Sequence, residues 1–183
     1  MERNDKQSAT GMGTRRDLLR GLAAGAVGGF FGAGVKLVGE VIAPPRTEDR
    51  EPPPGIGVSK VFEAIRGRGL TPKEMERAAM GVHWSFSVLV GAAYGAAAEF
   101  FPWVTAGSGT AYGVALWAAT HESALPLLGL TPPLSQVPAS EQITEFVSHA
   151  VYGASVELTR RIVRRRIFPD PGALAAGPST GAP

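Results

Sequence analysis

Cysteine is absent from the 183 residues, which excludes disulfide frameworks, zinc ribbons, thiol nucleophiles and thiolate-held clusters. Charge is scarce as well. Asp, Glu, Lys and Arg make up 19% of the chain, and 18 basic against 16 acidic residues leave a net charge of only +2. That lies below the quarter usual in soluble domains and offers nucleic acid no basic face, so no nucleic-acid partner is expected. Histidine occurs three times, so any imidazole chemistry is confined to His83, His121 and His149. Glycine and proline, by contrast, are abundant, and the apolar residues are strongly segregated.

Uncharged runs cover 21–35, 78–98 and 100–120, and a fourth from about 143 to 159 is broken only by Glu145 and Glu157. A bilayer core needs about 20 largely apolar residues at roughly 1.5 Å each. The expected fold class is therefore all-α: an integral membrane four-helix bundle with short hairpin turns, one polar extracytoplasmic loop and disordered tails. Spans are expected at about 18–43, 76–101, 108–128 and 141–168, forming one transmembrane domain over 18–168, with the loop 44–75 outside and tails 1–17 and 169–183 in the cytoplasm. A soluble bundle is the alternative. Three runs with almost no polar face argue against it, because a soluble helix of that length carries a charged stripe.

Local signals punctuate this plan. The proline-rich segment 43–55 reads as an extended linker, and Val58, Val61, Phe62 and Ile65 share one face of a short amphipathic helix ending at Arg66. Thr71, Pro72 and Glu74 form a capping box that starts the second long helix, which Pro102 ends. Residues 103–108 make a tight hairpin turn, 129–139 a second rigid turn, and Ser140 is placed to cap the last helix. Four spans put both termini on one side. Arg15, Arg16, Arg20, Arg160, Arg161, Arg164, Arg165 and Arg166 mark that side as cytoplasmic, although the outer loop also carries basic residues among its acids. The stretch TRRDLLR (14–20) resembles a twin-arginine export signal. An uncleaved anchor is preferred, since Lys36 and Glu40 follow and no small-x-small cleavage site precedes the linker.

Glycines recur at four-residue spacing: Gly21, Gly25 and Gly29, Gly28 and Gly32, Gly91 and Gly95, Gly109 and Gly113. In lipid such faces let helix backbones approach closely. They are expected to tighten the bundle and to offer a surface for homo-oligomerisation or partner membrane helices, the lipid bilayer being the other partner.

The informative residues are ionisable groups inside the spans, where a charge costs about 2.5 to 3.5 kcal/mol on insertion scales. Antiparallel threading brings Lys36, Glu40, His83, His121, Glu122, Glu145 and His149 to the outer half, and Glu99 and Glu157 to the inner half near the arginines after Thr159. Lys36 and Glu40, four apart, form an ion pair; Glu145 and His149, also four apart, present carboxylate and imidazole together. His83, His121, Glu122, Glu145 and His149 thus compose the candidate proton or cation site, with Lys36 and Glu40 in support. No cofactor is expected; the alternatives are a metal ion on His83, His121, His149 and Glu145, or a b-type haem between two histidines. The serines lack a nucleophile-elbow setting, so no catalytic constellation is recognised.

The segments KLVGEVIAPPR (36–46), HWSFSVLVGAAYGAAAEFFP (83–102) and PLLGLTPP (126–133), followed by the pattern of Glu145, His149, Glu157, Arg160 and Arg161, resemble the YagU family of bacterial inner-membrane proteins over about 20–166. The resemblance implies a multi-span protein of the bacterial inner (plasma) membrane, without established activity and loosely linked to acid tolerance. Matching positions are Lys36, Glu40, Pro44, Pro45, Arg46, His83, Glu99, His121, Thr131, Pro132, Pro133, Glu145 and His149. Glu122, TRRDLLR and the proline-rich tail depart from the family pattern. The expected function is binding or relay of a proton or small cation by the His/Glu/Lys cluster. The rival is a non-catalytic scaffold or accessory subunit, in which that cluster only fixes helix register.

Overall fold

The computed structural model describes residues 2–44 and 53–169, with side chains from 14 to 44 and from 56 to 169. All regular structure among them is helical. Helix α1 runs over Glu2–Ile42, α2 over Pro53–Arg66, α3 over Pro72–Phe100, α4 over Thr110–Ala119, α5 over Leu125–Leu127 and α6 over Ala139–Arg166. Where the first of the two tails was expected, α1 reaches back to Glu2, and no proline interrupts it. Apart from Phe168's neighbour Pro169, the second tail lies outside the described residues, as does most of the linker, 45–52. The linker's last residues, Pro53 to Gly55, open α2 rather than stay extended. A first helical turn needs no N–H donors, so prolines are tolerated there.

The start of α3 follows the capping-box expectation. Thr71 stands in extended conformation, its hydroxyl accepts from the Glu74 N–H, and the Glu74 carboxylate accepts from the Thr71 N–H at 2.9 Å. At its other end Phe101 closes the helix on the Ala97 carbonyl, and a 3₁₀ segment, Pro102–Gly109, turns the chain. Gly107, Ser108 and Gly109 all have positive φ there, a left-handed run that glycine makes cheap. Ser140 does not cap α6. Pro138 holds the N-cap position, and the Gln142 side chain donates instead to the Leu134 and Val137 carbonyls, at 3.1 and 2.8 Å.

Helix α1 packs on both α3 and α6, and α6 packs on α4. The glycine faces make these contacts. A Cβ placed on Gly95 would lie 2.6 Å from the Gly25 Cα, and one on Gly153 2.6 Å from the Gly113 nitrogen. Gly28 and Gly32 meet Val156 and Tyr152 of α6 in the same way. The faces expected to bind partner helices are therefore occupied by helices of this chain. Between α3 and α4 the gap is filled by Tyr94, Tyr112, Tyr152 and Val156, with the Tyr94 and Tyr112 rings stacked at 4.2 Å.

Among the described residues, Thr14–Ile42 is long and apolar enough to cross a membrane, and α3 with the segment Pro102–Leu127 passes the same test as a pair bent by 120°. Helix α6 has the length, at 28 residues, but also carries Glu145, Glu157 and a terminal run of arginines.

Candidate functional site

One end of the bundle gathers the last turns of α1, the first half of α3, the end of α4 and the start of α6. Glu145 is its centre. Its side chain is only 8% exposed and has basic neighbours from α1, from the segment after α4 and from α6 itself. Lys36 Nζ lies 3.5 Å from Glu145 Oε2, His149 Nδ1 3.6 Å and His121 Nε2 3.8 Å from the same oxygen. Lys36 also pairs with Glu40, so the expected one-turn ion pair exists and extends across to α6. The His149 Nδ1 stands 2.8 Å from the Glu145 backbone carbonyl, which accepts its proton and leaves the other ring nitrogen as the lone-pair site. The imidazoles of His121 and His149 meet edge to face with centroids 4.9 Å apart. That approach leaves no room for a porphyrin plane between them, so this pair cannot hold a haem.

A distortion in the helix positions His121. Residues Thr120–Ala124 form a π-helical turn, closed by the Leu125 N–H on the Thr120 carbonyl. Pro126 explains it: the proline has no N–H for the Glu122 carbonyl, and its ring would clash there in a regular helix. The wider turn leaves Glu122 exposed and His121 half-buried. Glu122 is thus not brought into the cluster, although it adjoins a member of it in sequence.

His83 stands close by. It lines a cavity of about 1420 Å³ together with Lys36, Glu40, His121 and His149, and its Nε2 is buried with no hydrogen-bond partner among the described residues. Val58, Val61, Phe62 and Ile65 of α2 form the apolar wall of this cavity, and Leu130 lines it as well. Lys60 of α2 holds the Gly129 carbonyl at 3.0 Å. The amphipathic helix read from the sequence therefore covers the polar end of the bundle.

A second polar centre occupies the opposite end. Glu157 is fully buried, yet it accepts from the Tyr94 hydroxyl at 2.8 Å, from Arg160 at 2.7 and 2.9 Å and from Arg161 at 2.6 Å. Glu99 receives both arms of Arg164, each at 2.7 Å, and Arg160 lies 3.5 Å away. The arginine answer to Glu157 is as expected; the Tyr94 bond and the Glu99–Arg164 fork are additional. Tyr94 shares the helix stripe of His83 and Ser87, which signals an inward side chain but not its partner.

With this geometry in hand the chain can be compared with known proteins. Residues 30–158 match the family described as "Protein of unknown function (DUF1440)". The chain belongs to this family. Every ionisable residue of the Glu145 cluster lies within the matched range. The chain is also similar to the Inner membrane protein YagU of Escherichia coli (strain K12), with 36% identity over 89 residues. That stretch is 49% of this chain and 44% of the relative, so the likeness spans less than half of the curated protein's length. No solved structure matches. The expected YagU likeness thus holds, and by homology the DUF1440 chain has an inner-membrane location.

Proposed function

We propose that this chain is a four-span inner-membrane protein whose Lys36, Glu40, His121, Glu145 and His149 cluster takes up a proton or small cation from the α2-covered cavity and passes it on. The observation that carries the reading is Glu145: a carboxylate withdrawn from the surface and surrounded by basic groups from separate helices. Ionisable groups inside membrane segments are expensive and tend to mark ion pathways. Their distribution supports a lipid setting too. Glu145 and Glu157 are buried, while Leu89 and Leu158 are 68% and 62% exposed on the bundle's outside, the inverse of a soluble protein. Four spans, α1, α3, α4 with α5, and α6, then place both termini in the cytoplasm with the arginines. The cluster faces the outside, where it would be the first buried layer to meet protons in acid surroundings. Against the scaffold alternative, the glycine faces it would use are packed against other helices of this chain.

Proteoliposomes carrying a trapped pH-sensitive dye test the reading. An imposed pH gradient should decay several-fold faster with the protein than in empty vesicles, and Glu145→Gln should restore the empty-vesicle rate. Equal rates for protein, variant and empty vesicles would overturn it.

A further inference from the structure

We propose that His121, Glu145 and His149 form a binding site for one divalent transition-metal ion of the Zn²⁺ class. The inference deepens the cation reading of the same cluster and rests on it. The three side chains each offer one ligand atom, and these atoms all lie within 4.8 Å of one another. Some point is then no more than about 2.8 Å from all three, so shifts of about 0.7 Å reach the roughly 2.1 Å of Zn–N and Zn–O bonds. Two imidazoles and one carboxylate are a donor set that suits Zn²⁺ or Fe²⁺, with coordination positions left open toward the cavity.

The surroundings are those of a ligand site rather than of a packing contact. His149 directs its Nδ1 at the Glu145 backbone carbonyl, and a ligating histidine usually donates its second ring N–H in this way, fixing both tautomer and ring plane. The π-helical turn, conformationally unusual and caused by Pro126, turns His121 toward α6. His121 and His149 both line the cavity, which supplies an entry path. Lys36 Nζ stands 3.5 Å from the same Glu145 carboxylate. Its ammonium is a built-in competitor: a metal ion arriving on the carboxylate displaces it toward Glu40, its other partner.

Co²⁺ titration of the full chain in detergent or nanodiscs reads the coordination directly through visible d–d absorption. The expected result is a saturable band at one ion per chain that Zn²⁺ displaces. His121→Ala and His149→Ala should each weaken binding by at least about 10-fold. Lys36→Met should tighten it by about 10-fold, since the competing cation is gone; a merely structural lysine would do the reverse. In the unmodified protein, Zn²⁺ should shield two of the three histidines from diethylpyrocarbonate, a result independent of whether any variant folds. Absence of a saturable band together with no Zn²⁺ shielding would overturn the site. If the pH gradient in vesicles still decays through Glu145, only the metal assignment falls; if it does not, the cation reading falls with it.

Discussion

Glu157 has an exacting environment, a carboxylate with no exposure held by a tyrosine and two arginines. Removing one partner of such a group leaves a charge uncompensated in an apolar medium. Glu157→Ala should therefore destabilise the bundle by about 3 to 5 kcal/mol, and Tyr94→Phe by about 1.5 to 3 kcal/mol, the range for a hydrogen bond to a charged group. Thermal unfolding in detergent measures both. Glycines provide a second contrast. Gly95→Ala puts a methyl 2.6 Å from the Gly25 Cα with only backbone opposite, so folded yield should collapse, whereas Gly39 has nothing within 4 Å and its alanine variant should gain about 0.5 to 1 kcal/mol. The sequence showed these residues unevenly. Four-residue spacing marked the close-approach glycines, and the arginine run marked Glu157, because both depend on helical periodicity alone. Glu122 misled for the opposite reason: periodicity assumes a regular helix, and Pro126 interrupts it one turn later.

Elements were legible where a local signal suffices. The Thr71–Glu74 box began α3 at the expected residue, and the apolar face of α2 was plain from its 58–65 pattern. Ser140 failed as a cap because Pro138 had already fixed an extended residue at the helix start. What the sequence could not show is that α2 lies over the histidines, which depends on contacts from far along the chain. The α3 box carries a pH dependence. Arg68 bonds the exposed Glu74 carboxylate, and the Thr71 backbone and hydroxyl add to this, holding its pKa down to about 2. A carboxylate whose pKa is lowered on folding stabilises the helix start above its free value of about 4.3 and loses that contribution as pH falls toward the lowered one. Amide protection at 72–76, measured by hydrogen exchange, should therefore drop between those two values, and Glu74→Gln should show the lower protection already at neutral pH.

For the whole molecule, the absence of cysteine becomes a tool, since each engineered thiol is unique. Glu63 on α2, Ala106 in the 3₁₀ turn and Ser135 in the last loop are all exposed. With four spans and cytoplasmic termini, Glu63→Cys and Ser135→Cys should react with an impermeant maleimide on intact spheroplasts, and Ala106→Cys only after lysis. A reversed pattern would invert the assigned orientation, and labelling of all three without lysis would exclude four crossings. The apolar runs alone pointed to packed helices; which helix touches which was set by glycines meeting glycines and could not be ordered from the runs.

Helix α6 supplies Glu145 and His149 to one polar centre and Glu157, Arg160 and Arg164 to the other. Among the described long helices it is made after α1, α3 and α4. Until it arrives, Glu99 lacks both guanidinium groups that answer it, and His121 has neither its carboxylate nor its imidazole neighbour. Both polar centres are therefore completed together, when α6 docks on α1 and α4.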